Sequence, residues 1–183
     1  MSENLKGSNI RTAITSDDRY GDVSRLTKNK FYVDFNASIL RTRGDSYKIN
    51  DKIAKDLADK IEDKERKLKL PVMIVTPVVR YCSENEDYSL RFELSEDSLI
   101  VQDERLDGKK YPSGLKFNEV DDLGLPIFNE NGKRTWFTRE DGLSGFVLYR
   151  DSDLSSSLGG LAFSDGNGRV VLVRGEAHQK FSS

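Results

Sequence analysis

Residues 31–40 read Phe-Tyr-Val-Asp-Phe-Asn-Ala-Ser-Ile-Leu, and no other run constrains the fold as much. Side chains of an extended strand point alternately to opposite faces. Phe31, Val33, Phe35, Ala37 and Ile39 therefore share one side, with Tyr32, Asp34, Asn36, Ser38 and Leu40 on the other. A strand with one apolar and one polar face belongs to a sheet covered on one side, which is usually antiparallel.

Further short strands follow the same logic. Leu70–Tyr81 is an apolar run expected as one buried strand or two pieces, with Pro77 at an edge or bulge because it cannot donate to a ladder. Tyr88–Leu94 alternates cleanly, and Ser98–Asp103 follows a turn, so these three segments predict an antiparallel meander. Asn131-Gly132 between Pro126-Ile-Phe128 and Lys133–Phe137 is the favoured signal for a two-residue hairpin. Ser144–Arg150 reads as another strand, and Asp165-Gly-Asn-Gly168 as the turn of a second hairpin between Leu161–Phe163 and Arg169–Arg174. Residues 104–128 carry glycines and prolines and read as an irregular segment, either a functional loop or one that hides short elements.

One helix is expected, over residues 51–67 with Asn50 as N-cap. Ile53, Leu57 and Ile61 form one narrow apolar stripe. Asp51 with Lys55, Asp56 with Lys60, Glu62 with Arg66 and Asp63 with Lys67 are acid-then-base pairs one turn apart. The sum is an α+β, β-rich chain. It predicts a mostly antiparallel curved sheet or a small OB-like barrel, with one amphipathic helix. Residues 1–29, polar and aperiodic, are expected to be a flexible N-terminal arm, and residues 30–183 a single globular domain.

Composition narrows the function classes. The net charge is −2 over 183 residues, so no global field draws the chain to nucleic acid or an anionic membrane. The charge is uneven. Residues 1–69 hold 16 Lys/Arg against 12 Asp/Glu, whereas residues 70–122 hold 6 against 12. Cys82 is the single cysteine, which excludes an intrachain disulfide and points to a cytoplasmic protein. No stretch approaches the ~20 apolar residues of a membrane span, and the first residues lack the apolar core of a signal peptide.

The search for catalytic chemistry returns little. His178 is the single histidine, far in sequence from Cys82 and Ser144, and Gly142-Leu-Ser-Gly145 lacks the spacing of a nucleophile elbow. One Cys and one His cannot complete a structural zinc site. Asp165-Gly-Asn-Gly168 and Asp151-Ser-Asp153 lack the spacing of a calcium loop, and no phosphate-binding glycine loop occurs. Glu93, Asp103 and Asp121 are candidate carboxylates with no sequence signal that pairs them, and Glu65-Arg-Lys67 is explained by its helix. No catalytic residue, metal or cofactor is expected, and the chain reads as a non-catalytic binding protein.

Two ligand classes fit the residues. Aromatic residues interleave with basic ones, as in sheets that bind single-stranded nucleic acid. Tyr32, Trp136 and Tyr149 would stack bases, while Lys30, Arg41, Arg43, Arg134 and Arg150 would hold phosphates. The alternative is a protein–protein interaction module, an inhibitor, adaptor or assembly component. It would use the acidic middle, with Glu84, Glu86, Asp87, Glu96 and Asp97, together with the 104–128 segment.

Overall fold

The computed structural model describes residues 10–12, 32–64, 69–75, 78–81, 90–96, 98–149, 152–159, 168–169 and 172–174. The alternating run forms β2 (Tyr32–Leu40), preceded by β1 (Ile10–Thr12). Then come helix α1 (Lys48–Lys64), β3 (Val72–Val75), β4 (Val78–Tyr81), β5 (Leu90–Glu93) and β6 (Leu99–Gln102). A 3-10 turn (Glu104–Leu106) leads into β7 (Leu115–Val120), β8 (Pro126–Phe128), β9 (Arg134–Phe137), β10 (Leu143–Leu148) and β11 (Leu154–Ser155). β12 (Gly168–Arg169) and β13 (Leu172–Arg174) complete the described strands.

Eight of these strands follow one path, β6-β3-β2-β10-β11-β9-β7-β8, in a strongly curled sheet that makes a half-barrel, and β12 joins beside β2. The sheet is mixed, because β11 runs parallel to β9 and β12 parallel to β2. β1 pairs with β13, and β4 with β5, outside this sheet.

The curl separates two apolar layers. The inner face collects Val33, Phe35, Ala37 and Ile39 of β2 with Met73, Val75, Val101, Phe117, Trp136, Phe146, Leu148 and Leu154. The outer face carries α1, whose Ile53, Ala54, Leu57, Ala58 and Ile61 pack on Leu40, Val72, Ile74, Phe92 and Leu143. The alanines widen the expected stripe and let the helix lie close to the sheet. β3 is buried on both faces, inner cluster on one side and helix on the other, which is why its sequence is an unbroken apolar run.

The helix begins before its expected cap. The Asp45 carboxylate accepts from the Tyr47 N–H at 2.8 Å, Asp51 accepts from the Asp45 N–H at 3.0 Å, and the Asn50 N–H bonds to the Tyr47 carbonyl at 2.8 Å. Asn50 lies inside the first turn and is 2% exposed, its amide donating to the Gly159 carbonyl at 2.5 Å. It ties α1 to the strand layer instead of capping the helix. Of the expected ion pairs, Lys60 bonds to Asp56 at 2.6 Å.

Three expectations about strand pairing are corrected. β3 and β6 pair directly, so the segment between them leaves the sheet as the β4–β5 hairpin and no meander forms. The Asn131-Gly132 turn does not join a hairpin, because β7 lies between β8 and β9 and pairs with both. The connection crosses β7 so tightly that a Cβ on Gly132 would sit 2.4 Å from the Phe117 nitrogen. Of the two readings of residues 104–128, the structure shows hidden short elements, the 3-10 turn and two strands. In the second expected hairpin, Gly168–Arg169 pairs with β2, and Leu161–Phe163 lies outside the described residues.

Candidate functional site

One end of the half-barrel closes on polar side chains that continue the apolar alternation. Ile39, Trp136, Leu154 and Phe146 belong to the inner cluster. Two residues along from each, on the same face, stand Arg41, Thr138, Ser156 and Ser144. Register agrees, since Ser144 lies directly opposite Ile39. All four polar residues are buried, and Arg41 is 5% exposed.

The Arg41 guanidinium sits inside a cage of neutral oxygens. Its Nε donates to the Leu106 carbonyl at 2.9 Å and its Nη1 to Ser144 Oγ at 2.9 Å. Its Nη2 donates to Thr138 Oγ1 at 2.9 Å and to Ser156 Oγ at 2.7 Å. Burial, reinforced by the nearby charge of Arg139, pushes its pKa down to about 9, and Asp107 and Asp141 oppose the shift. The group is still a cation at neutral pH. Ser144 Oγ donates its own hydrogen bond to the Ser156 carbonyl at 2.7 Å. A serine hydrogen-bonded to a guanidinium and a carbonyl has no base to activate it, so this cluster is built to hold shape and not to attack a substrate.

A second layer braces the cage. Arg139 Nη2 donates to Asp45 at 2.7 Å and reaches Asp141 at 3.2 Å. The Asp45 carboxylate, fully buried, also accepts the Leu143 N–H at 2.8 Å. Gly142, at φ +67°, leaves room for it, because a Cβ there would lie 2.3 Å from that carboxylate. The sequence signal for this assembly was the phase of Arg41, Thr138, Ser144 and Ser156 with the core positions.

Of the expected nucleic-acid residues, the described side chains do not gather on one open face. Arg41 is inside the cage and cannot meet a phosphate. Arg43 lies on the outer, helix side, bonded to Asp59 at 2.7 Å and paired with Glu62. Arg134 lies across the Phe117 ring at 4.5 Å and donates to the Ser152 carbonyl at 2.5 Å. Trp136 is 0% exposed and meets Phe146 edge-on, centroids 5.7 Å apart, so it offers no face to a base. Its Nε1 is the one buried side-chain nitrogen or oxygen without a hydrogen-bond partner among the described residues. Tyr149 is 37% exposed. Tyr32 falls on β2 opposite Gly168, and its side chain is outside the description. Lys30 and Arg150 lie outside the described residues.

Of the acidic set, Glu96 is exposed, and Glu84, Glu86, Asp87 and Asp97 lie outside the described residues. Asp103 and Asp121 do converge, but on Arg105, which bonds to each at 2.5 Å. Burial works to raise the Asp103 pKa, yet the hydrogen bonds from Arg105 outweigh it and hold the carboxyl below its usual value. Those same bonds, that of Asp103 first, raise the Arg105 pKa. No group of three or more His, Cys, Asp or Glu able to hold a metal occurs among the described residues.

What remains open is backbone. The sheet ends in β6 at one edge and β8 at the other. β8 is short, begins with Pro126, and has the Pro126 carbonyl taken by Arg105 Nη1 at 3.2 Å. These are standard defences of a sheet edge. β6 is Leu-Ile-Val-Gln, pairs in unbroken register with β3, and has no strand on its other side among the described residues. Leu99 packs on the inner cluster and Ile100 on the helix-side cluster, both part-exposed, while Gln102 is exposed. No helix among the described residues is long and apolar enough to cross a membrane. No family model, curated protein or solved structure matches this chain.

Proposed function

We propose that the protein is a non-catalytic interaction module that recognises another protein through the β6 side of its curled sheet. The observation that carries this reading is the β6 edge, an apolar strand that pairs with β3 on one side and has no strand on its other side among the described residues. Such an edge is a template for an incoming strand, whose main-chain hydrogen bonds supply affinity and whose alternate side chains supply specificity. The arginines with described side chains weigh against nucleic acid. Arg41, Arg43, Arg105, Arg134 and Arg139 are each engaged within the chain. Phosphate binding by any of them would first require breaking those contacts.

A photo-activatable phenylalanine analogue in place of Gln102, expressed in the source cell, tests the reading. Irradiation is expected to give a discrete protein adduct at this edge. Adducts with nucleic acid alone, or no adduct, contradict it.

A further inference from the structure

We propose that Asn131 is a modification site, which converts spontaneously to aspartate and isoaspartate beside a glycine that the fold itself requires. The site lies on the crossing from β8 to β9 and is independent of the β6 edge. Asparagine is a thermally labile residue. Its side chain reacts fastest when the next residue has no side chain to shield its backbone nitrogen. Position 132 requires glycine, because a Cβ there would lie 2.4 Å from the Phe117 nitrogen and 2.5 Å from the Phe117 carbonyl oxygen, both backbone atoms.

Asn131 is exposed, and its side chain makes no hydrogen bond among the described residues. The Gly132 N–H donates to the Asn129 carbonyl at 2.8 Å. One such bond at an exposed turn opens without global unfolding. Deprotonated by hydroxide, the Gly132 nitrogen attacks Asn131 Cγ. The N–Cγ bond forms, the bond from Cγ to the amide nitrogen breaks, and ammonia leaves. Water opens the resulting succinimide at either carbonyl, giving aspartate or isoaspartate with no oxidation or reduction. Isoaspartate adds an atom to the backbone of a connection that already presses on β7. The Lys133 N–H, which donates to Asn118 Oδ1 at 3.0 Å, is then displaced.

Neighbouring groups of the same chemistry are restrained. Asp107, before Gly108, accepts the Lys109 N–H at 2.9 Å. Asp141 is held by Arg139 at 3.2 Å, and the Gly142 N–H donates to Thr42 Oγ1 at 2.8 Å. Asn118 and Asn129 precede glutamates, and Asn129 Oδ1 accepts the Asn131 N–H at 3.0 Å. In the second Asn-Gly pair, Asn167 lies outside the described residues.

Incubation of the folded full chain in mildly alkaline buffer tests this, with the free peptide Phe117–Lys133 as reference and peptide mapping as readout. A gain of one mass unit is expected at Asn131, growing with hydroxide, while Asn118 and Asn129 stay intact. Electron-transfer fragmentation should identify isoaspartate. Exchange of the Lys133 amide should quicken in the aged chain. It should stay slow in Asn131→Asp, which carries the same new charge on an ordinary backbone, and Asn131→Gln should show no mass gain. An Asn131 that stays intact while the free peptide converts overturns the proposal, as does equal conversion at Asn118 or Asn129. Unchanged Lys133 exchange in the isoaspartate-bearing chain overturns the effect on the crossing and leaves the modification standing.

Discussion

The closed end of the half-barrel and its β6 edge are opposite solutions to polar groups at a sheet boundary. At the closed end Arg41 reaches in and meets Thr138, Ser144, Ser156 and the Leu106 carbonyl. At β6 the polar groups are backbone, and among the described residues no side chain reaches over to satisfy them as Arg105 does for β8. Polar groups matched inside the fold stabilise it. Polar groups left open at an edge are available to a partner. The residue types that suggest a binding site in sequence, arginine and tryptophan, belong here to the first class.

The sharpest way to break this contrast is Arg41→Ala. It removes a buried cation and strands several buried acceptors, so it should destabilise the fold by about 3–5 kcal/mol. Urea denaturation would read the loss. A value under about 1 kcal/mol would mean that the cage is not structural. Arg41→Lys should recover only part of the loss, because a lysine lacks the planar fork that reaches four oxygens at once.

Trp136→Phe probes the one unmatched buried side-chain group among the described residues. It keeps an aromatic ring in the inner cluster and removes the unpartnered indole N–H. The lost ring area and the relieved polar group offset, so the expected cost is under about 1.5 kcal/mol. A much larger loss would show that the N–H has a partner, a bound water first among them.

Acid titration sharpens the account of the defended edge. Asp103 has its pKa held below the ordinary 3.8 in the folded chain. Its stabilisation is therefore present above that value and is lost as pH falls through the lower, folded one. Asp103→Asn should flatten the acid limb of the stability curve below about pH 4, by about 1 kcal/mol or less because water reaches the group. An unchanged acid limb would remove the Arg105 ion cluster from the account. The smallest effect belongs to Arg43→Ala, whose ion pairs with Asp59 and Glu62 are exposed, and thermal unfolding should show no resolvable shift.

Much of the architecture is legible in periodicity, and the failures have local causes. The alternation of residues 31–40 identifies β2, and the stripe of Ile53, Leu57 and Ile61 identifies the buried face of α1. Asn131-Gly132 misleads because a turn signal reports local chain reversal and cannot report that β7 intervenes between β8 and β9. The parallel β9–β11 pairing is equally non-local, with β10 lying between them in sequence. Arg41 looks like a surface residue by type, and only its phase with Phe35, Ala37 and Ile39 betrays an inward side chain. The β6 edge has no side-chain signature, since pairing on one side alone is a property of the assembled sheet.

Amide hydrogen exchange on the free chain tests the central contrast most directly. Alternate amides of an edge strand point away from its neighbour. Within Leu99–Gln102, the outward amides should exchange fast, while those of Ile39, Met73 and Ser144 should exchange only through global unfolding. Uniform protection across Leu99–Gln102, equal to that of β3, would mean that the edge is already covered and would contradict the account.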